Sequence, residues 1–585
     1  MLKSENSSEN IAGESPSGVA GFCHRKTLLQ IPLPRLFWSL AAGLVLLVSW
    51  IAVDYGITWD EWMDSNNIML ALRYLFTLGR DTSYTQFWHG YLYSGFFFSI
   101  VGTIYGLFSG NLHAFVFDGL HQDLHLLRFY HTSHWFNALF GCTAMIFTGL
   151  LARLVAGWRA GTLALVFMIL SPRFFGASFN DPKDIPMAAG YVMALYFMIR
   201  FLMEQPKPFL STRIFLAFSI AVAIGARAAG LILLPYFLLF SGVYWLTSSR
   251  EKQIPLPPLI LNVCLIAIGG YLGGLIFWPY ALQNPITNPA LALAKLSNFS
   301  FWKGVVLFEG RQVTTDKLPW YYLLKWIFIS VPFFIHFGLI FFVLRFRSLM
   351  RKIDWRLLVM VSFTFLFPLT FQIVKKSTVM DSWRHFFFVY PPLAAVAAVA
   401  WDHLWEENKN RVSRFGMAGL LGMLLLMPLE WMIRNHPHEY IYFNASTGGL
   451  SGAFGNYETD YWANSLRGCA EWLGDYHAAH YPGQKAVVRA DSSVMSTYPF
   501  LRKALGDAYT PYGYPADFIR KKPYFFITYP PVSYPTQGWD YAILMTRSWD
   551  PEGLRRKAWP GAQTLYEVKA DGIPLCAVVK NPAKG

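Results

Sequence analysis

The stretch Thr58-Trp59-Asp60-Glu61-Trp62 comes directly after the first apolar run of membrane length, residues 37–53. Two adjacent carboxylates at that position lose hydration beside a bilayer, so acidic residues there are disfavoured unless they have a task. We therefore expect this pair to be functional. Of the two residues, Asp60 is predicted to be a catalytic base.

The composition of the chain is typical of a polytopic membrane protein. Of its 585 residues, 54% are apolar and only 14% are charged, and many apolar runs approach the roughly 20 residues that span a bilayer. Several of the basic residues behind the net charge of +14 fall in short loops between these runs, where a cytoplasmic bias of Lys and Arg explains them. The lipid bilayer is therefore expected as a partner, and nucleic acid is not.

Eleven apolar runs are predicted to cross the membrane: 37–53, 133–153, 159–172, 184–201, 212–226, 229–246, 257–279, 321–344, 356–374, 383–402 and 414–433. The basic loops between alternate runs share a side with Arg25 and Lys26, and the positive-inside rule makes that side cytoplasmic. The protein is thus predicted to be a multi-pass protein of the plasma (inner) membrane with a cytoplasmic N-terminus. The outer segments are then 54–132, 173–183, a turn near 227, 280–320, 375–383 and everything after Arg434.

The sequence divides into three predicted regions. Residues 1–30, rich in Ser, Glu, Asn and Gly, are expected to form a disordered cytoplasmic tail. Residues 31–433 form an all-α transmembrane catalytic domain, and residues 434–585, with short β-rich runs, form a small extracytoplasmic α/β domain. In the first outer loop, segments 63–78 and 91–108 are predicted as helices that lie in the membrane interface and roof a cavity.

Cysteine and histidine spacing gives little support for a metal site. The five cysteines are too scattered for a metal cluster or a disulfide framework, although a single Cys469–Cys576 bridge is possible. His121 and His125 have the i, i+4 spacing that places two imidazoles on one helix face, so a zinc site is conceivable there. No cysteine joins them, and a helix with scattered polar residues needs no metal. We therefore assign no cofactor and leave the metal requirement open.

Charged residues are sparse in the outer segments, and they recur at the outer ends of several different runs. This pattern suits a reaction in which a carboxylate deprotonates an acceptor hydroxyl while cations hold a phosphate leaving group on the other side of the reacting carbon. Arg favours bidentate phosphate contact, and Lys acts as a point charge. The residues concerned are Asp60, Glu61, Arg173, Asn180, Asp181, Lys183, Asp184, Arg227, Lys375, Lys376, Asp381, Arg384 and His385.

Several of these residues also have a plainer interpretation. The segment 180–184 can be a simple turn in which Asp184 caps the following helix. Arg227 can be paired with an outer acid, because an unpaired guanidinium is costly between two apolar runs. Arg384 and His385 can extend to the interface from the end of a span without any further role.

Three further stretches accompany the acid pair: Ser171-Pro-Arg-Phe-Phe-Gly-Ala-Ser-Phe-Asn-Asp-Pro-Lys-Asp-Ile-Pro, Trp383-Arg-His-Phe-Phe-Phe-Val-Tyr-Pro-Pro, and His436-Pro-His-Glu-Tyr-Ile-Tyr-Phe-Asn followed by Asp460-Tyr-Trp. Together with the acid motif, the eleven runs and the outer C-terminal region, they resemble the GT-C glycosyltransferases, in particular bacterial relatives of the protein O-mannosyltransferase and aminoarabinose lipid A transferase group (families 39 and 83). The resemblance covers about 37–470. No region resembles the trefoil inserts of eukaryotic protein mannosyltransferases.

The resemblance implies a donor that is a polyprenyl-phosphate sugar and a transfer that proceeds with inversion. Asp60 would be the base, and Glu61 would orient it or the acceptor. The donor phosphate would be held by a subset of Lys183, Arg227, Arg384 and His385. Candidate contacts to the sugar or to the acceptor, which would be a protein, a glycolipid or a polysaccharide, are Trp59, Trp62, Asp181 and Tyr442.

Two rival functions remain open. A transporter or flippase of lipid-linked glycans would distribute polar residues through the membrane midplane and would contain broken helices, whereas the ionisable residues here gather at the outer ends of the runs. A non-catalytic membrane scaffold would use its outer domain to bind a partner. Neither rival has a need for Asp60 as a base.

Overall fold

The computed structural model describes residues 32–86, 90–110, 112–117, 123–248, 255–298, 304–490, 494–512 and 538–584. The predicted tail, 1–30, lies outside these ranges. So do His121 and the side chain of His125, which carried the possible zinc site.

The described residues are mostly helical. The helices of the N-terminal half are α1 (Leu33–Ile51), α2 (Trp59–Phe76), α3 (Phe96–Phe108), α4 (Leu112–Phe117), α5 (Asp123–Ala156), α6 (Trp158–Ile169), α7 (Pro172–Asn180), α8 (Asp184–Met203), α9 (Leu210–Ala226), α10 (Leu233–Thr247), α11 (Leu256–Leu275), α12 (Pro279–Gln283) and α13 (Thr287–Asn298). The rest are α14 (Tyr322–Ser330), α15 (Phe333–Lys352), α16 (Trp355–Lys375), α17 (Tyr390–Glu407), α18 (Arg411–Asn435), α19 (Gly449–Ala453), α20 (Leu466–His480), α21 (Val494–Leu505) and α22 (Pro551–Arg555).

Each predicted span is helical over most of its length, but fewer than eleven helices are both long enough and apolar enough to cross a membrane. Within the described residues, nine helices are long and apolar enough to cross a membrane, and ten if α6 and α7, which are bent by 66°, count as one. The remaining predicted run is α9, which has only 17 residues. The predicted fold class, a helical membrane domain followed by a small C-terminal α/β region, is confirmed.

Proline explains where the predicted boundaries of one span differ from the observed ones. The run predicted at 321–344 is interrupted, because α14 ends at Ser330 and α15 begins at Phe333, just after Pro332. Proline disfavours a helical conformation for the residue before it and cannot continue the hydrogen-bond ladder. The span therefore starts later and extends to Lys352.

The segment predicted as an outer loop at 173–183 is instead helical over most of its length. Every residue of α7 is buried, and Pro172 occupies the first helical position, where its missing N–H costs nothing. Gly176 allows a close approach, because a Cβ there would lie 2.6 Å from the backbone nitrogen of Tyr440. The turn prediction holds only for the short connection between α7 and α8.

The two predicted interfacial segments are both helical, as α2 and α3. Their position relative to the bilayer stays a prediction. At the centre of the bundle lie α8 and the helical segment Arg384–Glu407, in each of which 94% of the most apolar window is buried. The N-terminal ends of these two central helices are therefore positioned by the bundle around them.

The chain contains seven described strands: β1 (Val305–Phe308), β2 (Arg311–Thr314), β3 (Ala486–Ala490), β4 (Tyr509–Pro511), β5 (Tyr541–Met545), β6 (Thr564–Ala570) and β7 (Ile573–Lys580). The first two form an antiparallel pair, and the other five form one sheet in the order β4-β3-β5-β7-β6. The β3 strand is parallel to β4 and β5, whereas β7 is antiparallel to β5 and β6. A disulfide joins Cys469 of α20 to Cys576 of β7, so the possible bridge is present.

The disulfide should stabilise the C-terminal region. It joins cysteines 107 residues apart, and in the chain-entropy model a loop of about 100 residues contributes about 4.7 kcal/mol. We expect Cys469→Ser to lower the unfolding temperature of the purified protein, measured by scanning fluorimetry in detergent. Cys264→Ser is the matched control, because Cys264 is an exposed free thiol. An unfolding temperature equal to that of the wild type in Cys469→Ser would contradict the prediction.

Candidate active site

The acid motif of the first outer loop forms the first turn of α2. Thr58 is the N-cap: its hydroxyl accepts a hydrogen bond from the backbone N–H of Glu61, and its own N–H donates to Glu61 Oε2 at 2.8 Å. This reciprocal capping box satisfies two donors at the helix start. It fixes Asp60 in the first turn, where the helix dipole favours a negative charge.

Glu61 is fully buried behind this turn. Its Oε1 lies 2.9 Å from Nε2 of His134 in α5, and both side chains have zero solvent exposure. Its observed contacts are those of a helix cap and of a buried link between α2 and α5. The predicted role of Glu61 in orienting the base or the acceptor stays a prediction.

Asp60 is paired with Arg384, a cation that lies 324 residues later in the sequence. Its Oδ2 accepts a hydrogen bond from Nη1 of Arg384 at 2.7 Å, and 22% of its side chain is exposed. Burial raises the pKa of Asp60, but Arg384, followed by Lys183 and Arg227, outweighs burial and lowers the pKa to about 2. The carboxylate is therefore ionised at every physiological pH.

Arg384 lies among three carboxylates. Besides Asp60, its Nη2 donates to Asp381 Oδ2 at 3.0 Å, and its Nη1 lies 3.9 Å from Asp184 Oδ2. The guanidinium also lies over the ring of Trp462, 5.1 Å from its centroid. Because the central helix beginning here is packed on all sides, Arg384 cannot simply extend to the interface, and only 6% of its side chain is exposed.

The two other predicted cations are paired in the same way. Nζ of Lys183 donates to Asp64 Oδ1 at 3.0 Å, and Nε of Arg227 lies 2.6 Å from Asp184 Oδ1. The outer-acid partner that was considered for Arg227 is thus observed. Lys183, Arg227 and Arg384 all contribute to the electrostatic environment of His385. The structure therefore brings the four predicted phosphate-binding residues into one cluster.

Asp64 is a site residue that the sequence reasoning missed. It lies four residues after Asp60 on α2, a spacing that places both carboxylates on one helix face, so the signal was available. Burial raises the pKa of Asp64 to about 6, because the repulsion from Asp60 adds to burial while Lys183 opposes it. A small cleft lies beside Asp64, lined by Asn67, Tyr93, Ser94, Phe98 and Lys183 among others.

Asp181 is fully buried next to Asp184, Arg227 and Arg384. It has zero exposure, and its Oδ1 accepts a hydrogen bond at 3.1 Å from the backbone N–H of Asp184, the first residue of α8. Burial, followed by repulsion from Asp184, holds the pKa of Asp181 well above its usual range. The structure places Asp181 next to the cations, and its predicted contact with a sugar or acceptor stays a prediction.

The three predicted aromatic contacts lie in different surroundings. Trp59 is half-buried beneath the guanidinium of Arg547, which is 4.6 Å from its centroid. Trp62 packs against an apolar cluster shared with the C-terminal region. The ring of Tyr442 packs edge to face on Trp431, and its carbonyl accepts a hydrogen bond from the buried Arg173. Among the contacts of the described residues, none joins Tyr442 to the carboxylates and cations around Asp60.

Three further residues belong to the same cluster: Asp381 was noted in the sequence only as one of the outer charges, and Glu458 and Arg547 were missed. Asp381, only 1% exposed, accepts from Arg384 on one oxygen and lies 2.9 Å from Arg547 on the other. Arg547 belongs to the C-terminal region, and Nη2 also lies 3.5 Å from Glu458 Oε1. Burial raises the pKa of Glu458 to about 7, with Arg547 opposing this rise. Arg547 lies far from Asp381 in the sequence, so no local sequence pattern predicts their contact.

The cluster contains both parts that the predicted chemistry requires. Carboxylates that can accept a proton lie within ion-pair distance of guanidinium and ammonium groups that can bind a phosphate. These cations are matched by carboxylates, so an incoming phosphate would compete with the carboxylates for them. In the described part of the chain, no group of three or more His, Cys, Asp or Glu residues is arranged to hold a metal ion.

Comparisons with known proteins give likenesses at the level of solved structures. The sequence matches no family model and no curated protein. It is similar to the archaeal oligosaccharyltransferase AglB from Archaeoglobus fulgidus in complex with an inhibitory peptide and a dolichol-phosphate, with 12% identity, a TM-score of 0.49, and coverage of 87% of this chain and 69% of that one. It is also similar to ArnT from Cupriavidus metallidurans bound to undecaprenyl phosphate, with 13% identity, a TM-score of 0.47, and coverage of 94% and 98%.

The capping role of Glu61 predicts that its replacement lowers the stability of the protein. Glu61→Ala leaves the buried N–H of Thr58 and the ring of His134 without their partner, and we expect a loss of about 1–3 kcal/mol in unfolding free energy. Glu61→Gln keeps a side-chain oxygen for the capping box and should retain most of the stability. Thermal unfolding of both variants in detergent measures the difference. Equal stability of Glu61→Ala and the wild type would show that the capping box is dispensable.

Proposed function

We propose that the protein is an inverting glycosyltransferase of GT-C type that moves a sugar from a polyprenyl-phosphate donor to a protein, lipid or glycan acceptor. The observation that carries the proposal is the ion pair between Asp60 and Arg384, flanked by Lys183 and Arg227 at the adjoining ends of apolar helices. A carboxylate and several cations in contact, beside lipid-facing surfaces, suit an anionic donor with a long apolar tail. The cations would bind the phosphate of the donor, and the bilayer would accommodate its polyprenyl chain.

In the proposed reaction, the acceptor hydroxyl oxygen attacks the anomeric carbon of the sugar. Asp60 takes the hydroxyl proton as the new carbon–oxygen bond forms. The bond between the anomeric carbon and the phosphate oxygen breaks on the opposite face, and the electron pair leaves with polyprenyl phosphate. Attack and departure on opposite faces invert the anomeric configuration, as in other transfers that use one base and one leaving group.

The pairing of Arg384 suggests how Asp60 becomes a base. With a pKa of about 2 in its ion pair, Asp60 is a weak proton acceptor. A donor phosphate bound to Arg384 would compete with Asp60 for the same guanidinium. Losing that partner raises the pKa of a buried carboxylate, so the base would gain strength only when a donor is bound.

Two observations support action on the outer face of the plasma membrane. The opposite ends of the bundle carry the basic loops, with Arg159 paired to Glu406 and Arg345 to Glu407, and the positive-inside rule assigns such ends to the cytoplasm. The disulfide of the C-terminal region also favours an oxidising compartment. Both support an outer position for the cluster around Asp60.

A transport function deserves a discriminating experiment, because the bent pair α6 and α7 is a broken helix of the kind found in transporters. The chain after the break leads to Asp181 and Lys183, which belong to the ion-pair cluster. In a transferase, the break would serve to position these two residues. The need for Asp60 as a proton acceptor separates the two functions.

Asp60→Asn should reduce transfer by about 10²–10⁴-fold, because it removes the general base. The assay incubates purified protein with a panel of polyprenyl-phosphate sugars and measures released polyprenyl phosphate, followed by the mass shift of the acceptor. Asp81→Asn is the matched control, since Asp81 is an outer carboxylate whose described contact is a local one with Ser83. Full transfer by Asp60→Asn, or release by neither wild type nor control with any donor, would exclude the proposed reaction.

The pair Lys183 and Asp64 predicts a pH dependence of donor binding. With a pKa of about 6, Asp64 is mostly ionised at pH 7 and mostly protonated at pH 5. Protonation removes the negative partner of Lys183 and leaves the ammonium available for phosphate. A sugar phosphodiester stays ionised over this range, so the KM for donor should decrease several-fold as the pH falls from 7 to 5.

Steady-state kinetics of Asp64→Asn tests this explanation. The variant should have a low KM for donor at both pH values, because the competing carboxylate is absent. Asp81→Asn should keep the pH dependence of the wild type. The explanation is wrong if Asp64→Asn shows the same change of KM with pH as the wild type.

A further inference from the structure

Arg547, which follows strand β5 of the C-terminal sheet, extends into the candidate active site. Its Nη2 lies 2.9 Å from Asp381 Oδ1 and 3.5 Å from Glu458 Oε1, and its Nη1 donates to the carbonyl of Tyr461 at 2.9 Å. The guanidinium also covers the ring of Trp59 at 4.6 Å. Only 11% of the side chain is exposed. A cation from the C-terminal region thus contacts the motif that precedes the predicted base.

Asp381 connects Arg547 to the predicted base. One oxygen of the carboxylate faces Arg547, and the other accepts from Nη2 of Arg384. Nη1 of the same guanidinium donates to Asp60. Carboxylate and guanidinium groups are both planar and rigid, so the direction of one contact constrains the next. The orientation of Arg384 toward Asp60 therefore depends on how Asp381 is held.

The backbone at Asp381 needs such support. Asp381 and Ser382 have φ angles of +51° and +66°, in the left-handed region that residues with a side chain rarely adopt. Two consecutive residues of this kind persist only when surrounding contacts determine them. The described contacts of the Asp381 side chain are the ion pairs with Arg384 and Arg547.

We propose that Arg547 is a positioning residue for sugar transfer: it holds Asp381, and through Asp381 it orients Arg384 between Asp60 and the donor phosphate. This inference rests on the proposed function. It assigns the C-terminal α/β region a part in building the active site, in addition to its own sheet and disulfide. Arg547 itself touches neither the reacting carbon nor the transferred proton.

Arg555 provides a matched control within the same region. It is also an arginine that joins the C-terminal region to the rest of the chain, since its Nη1 donates to the carbonyls of Gly310 at 3.0 Å and Gly455 at 2.9 Å. None of its described contacts is with Asp381, Arg384 or Asp60. A variant of Arg555 therefore weakens the attachment of the region without changing the orientation of Arg384.

The test compares Arg547→Ala, Arg547→Lys and Arg555→Ala in the full-length protein in detergent or nanodiscs. For Arg547→Ala, we expect kcat to fall at least about ten-fold, because small misplacements of a catalytic group cost this much or more. The KM for donor should change less than about three-fold, because Arg384 keeps its charge. Arg547→Lys should recover part of kcat through its ion pair with Asp381, and Arg555→Ala should keep the wild-type kcat per folded molecule.

A wild-type kcat in Arg547→Ala would overturn the inference, and so would an equal loss in Arg555→Ala. Hydrogen exchange of residues 377–384 gives a readout that needs no activity. Arg547→Ala should lose protection there, and Arg555→Ala should not. If the wild type transfers no sugar at all, the proposed function fails, and unchanged protection in Arg547→Ala would then also exclude the support of Asp381 by Arg547.

Discussion

Compensation of buried charge is the constraint on which the site depends. Arg384, Lys183 and Arg227 each lie within ion-pair distance of a carboxylate, and their side chains are 6%, 18% and 16% exposed. Leaving a buried ion without its partner costs several kcal/mol of folding free energy. Each of these charges is therefore stable only when the helix that carries its counter-ion is packed next to it. Because Asp60 belongs to α2, Asp184 to α8 and Arg384 to the start of the central Arg384–Glu407 segment, the bundle can close only when these ends meet.

The same pairing gives the site its chemical character. A site with unpaired cations would bind any anion that reached it. In the proposed reaction an anion would have to displace a carboxylate from its cation, and the displaced carboxylate would then face the ligand with a raised pKa. One exchange at Arg384 would thus couple the binding of an anionic group to the generation of a proton acceptor. Asp64 and Lys183 repeat the arrangement one helical turn further along α2.

Apolar runs and basic loops were sufficient to predict the helices and the end of the bundle at which the charged cluster lies, because these depend on local composition. Asp60 was found for the same reason, since charge next to a span is visible in the sequence. The Thr58-x-x-Glu61 capping signature and the spacing of Asp60 and Asp64 were equally visible, but they were not used. The helix at 172–180 was missed because Asn, Asp and Pro next to it predict a turn. Asp381 was visible only as an outer charge. Its link to Arg547, and the position of Tyr442, depend on contacts between distant segments, for which a single sequence holds no local signal.

The sequence boundary predicted at 433/434 is a change of composition, and the contacts of the first outer segment show that it does not divide the site. The residues just before Asp60 are held by residues about 400 positions later. The hydroxyl of Tyr55 donates to Glu439 at 2.7 Å, and the N–H of Gly56 donates to Asn464 Oδ1 at 2.8 Å. A Cβ at Gly56 would lie 2.3 Å from the carbonyl of Asn464, so only glycine permits this approach. Since Thr58 begins α2 two residues later, the segment after the last span determines where the capping box forms and hence where Asp60 points. The candidate active site is therefore formed jointly by the membrane helices and the C-terminal region.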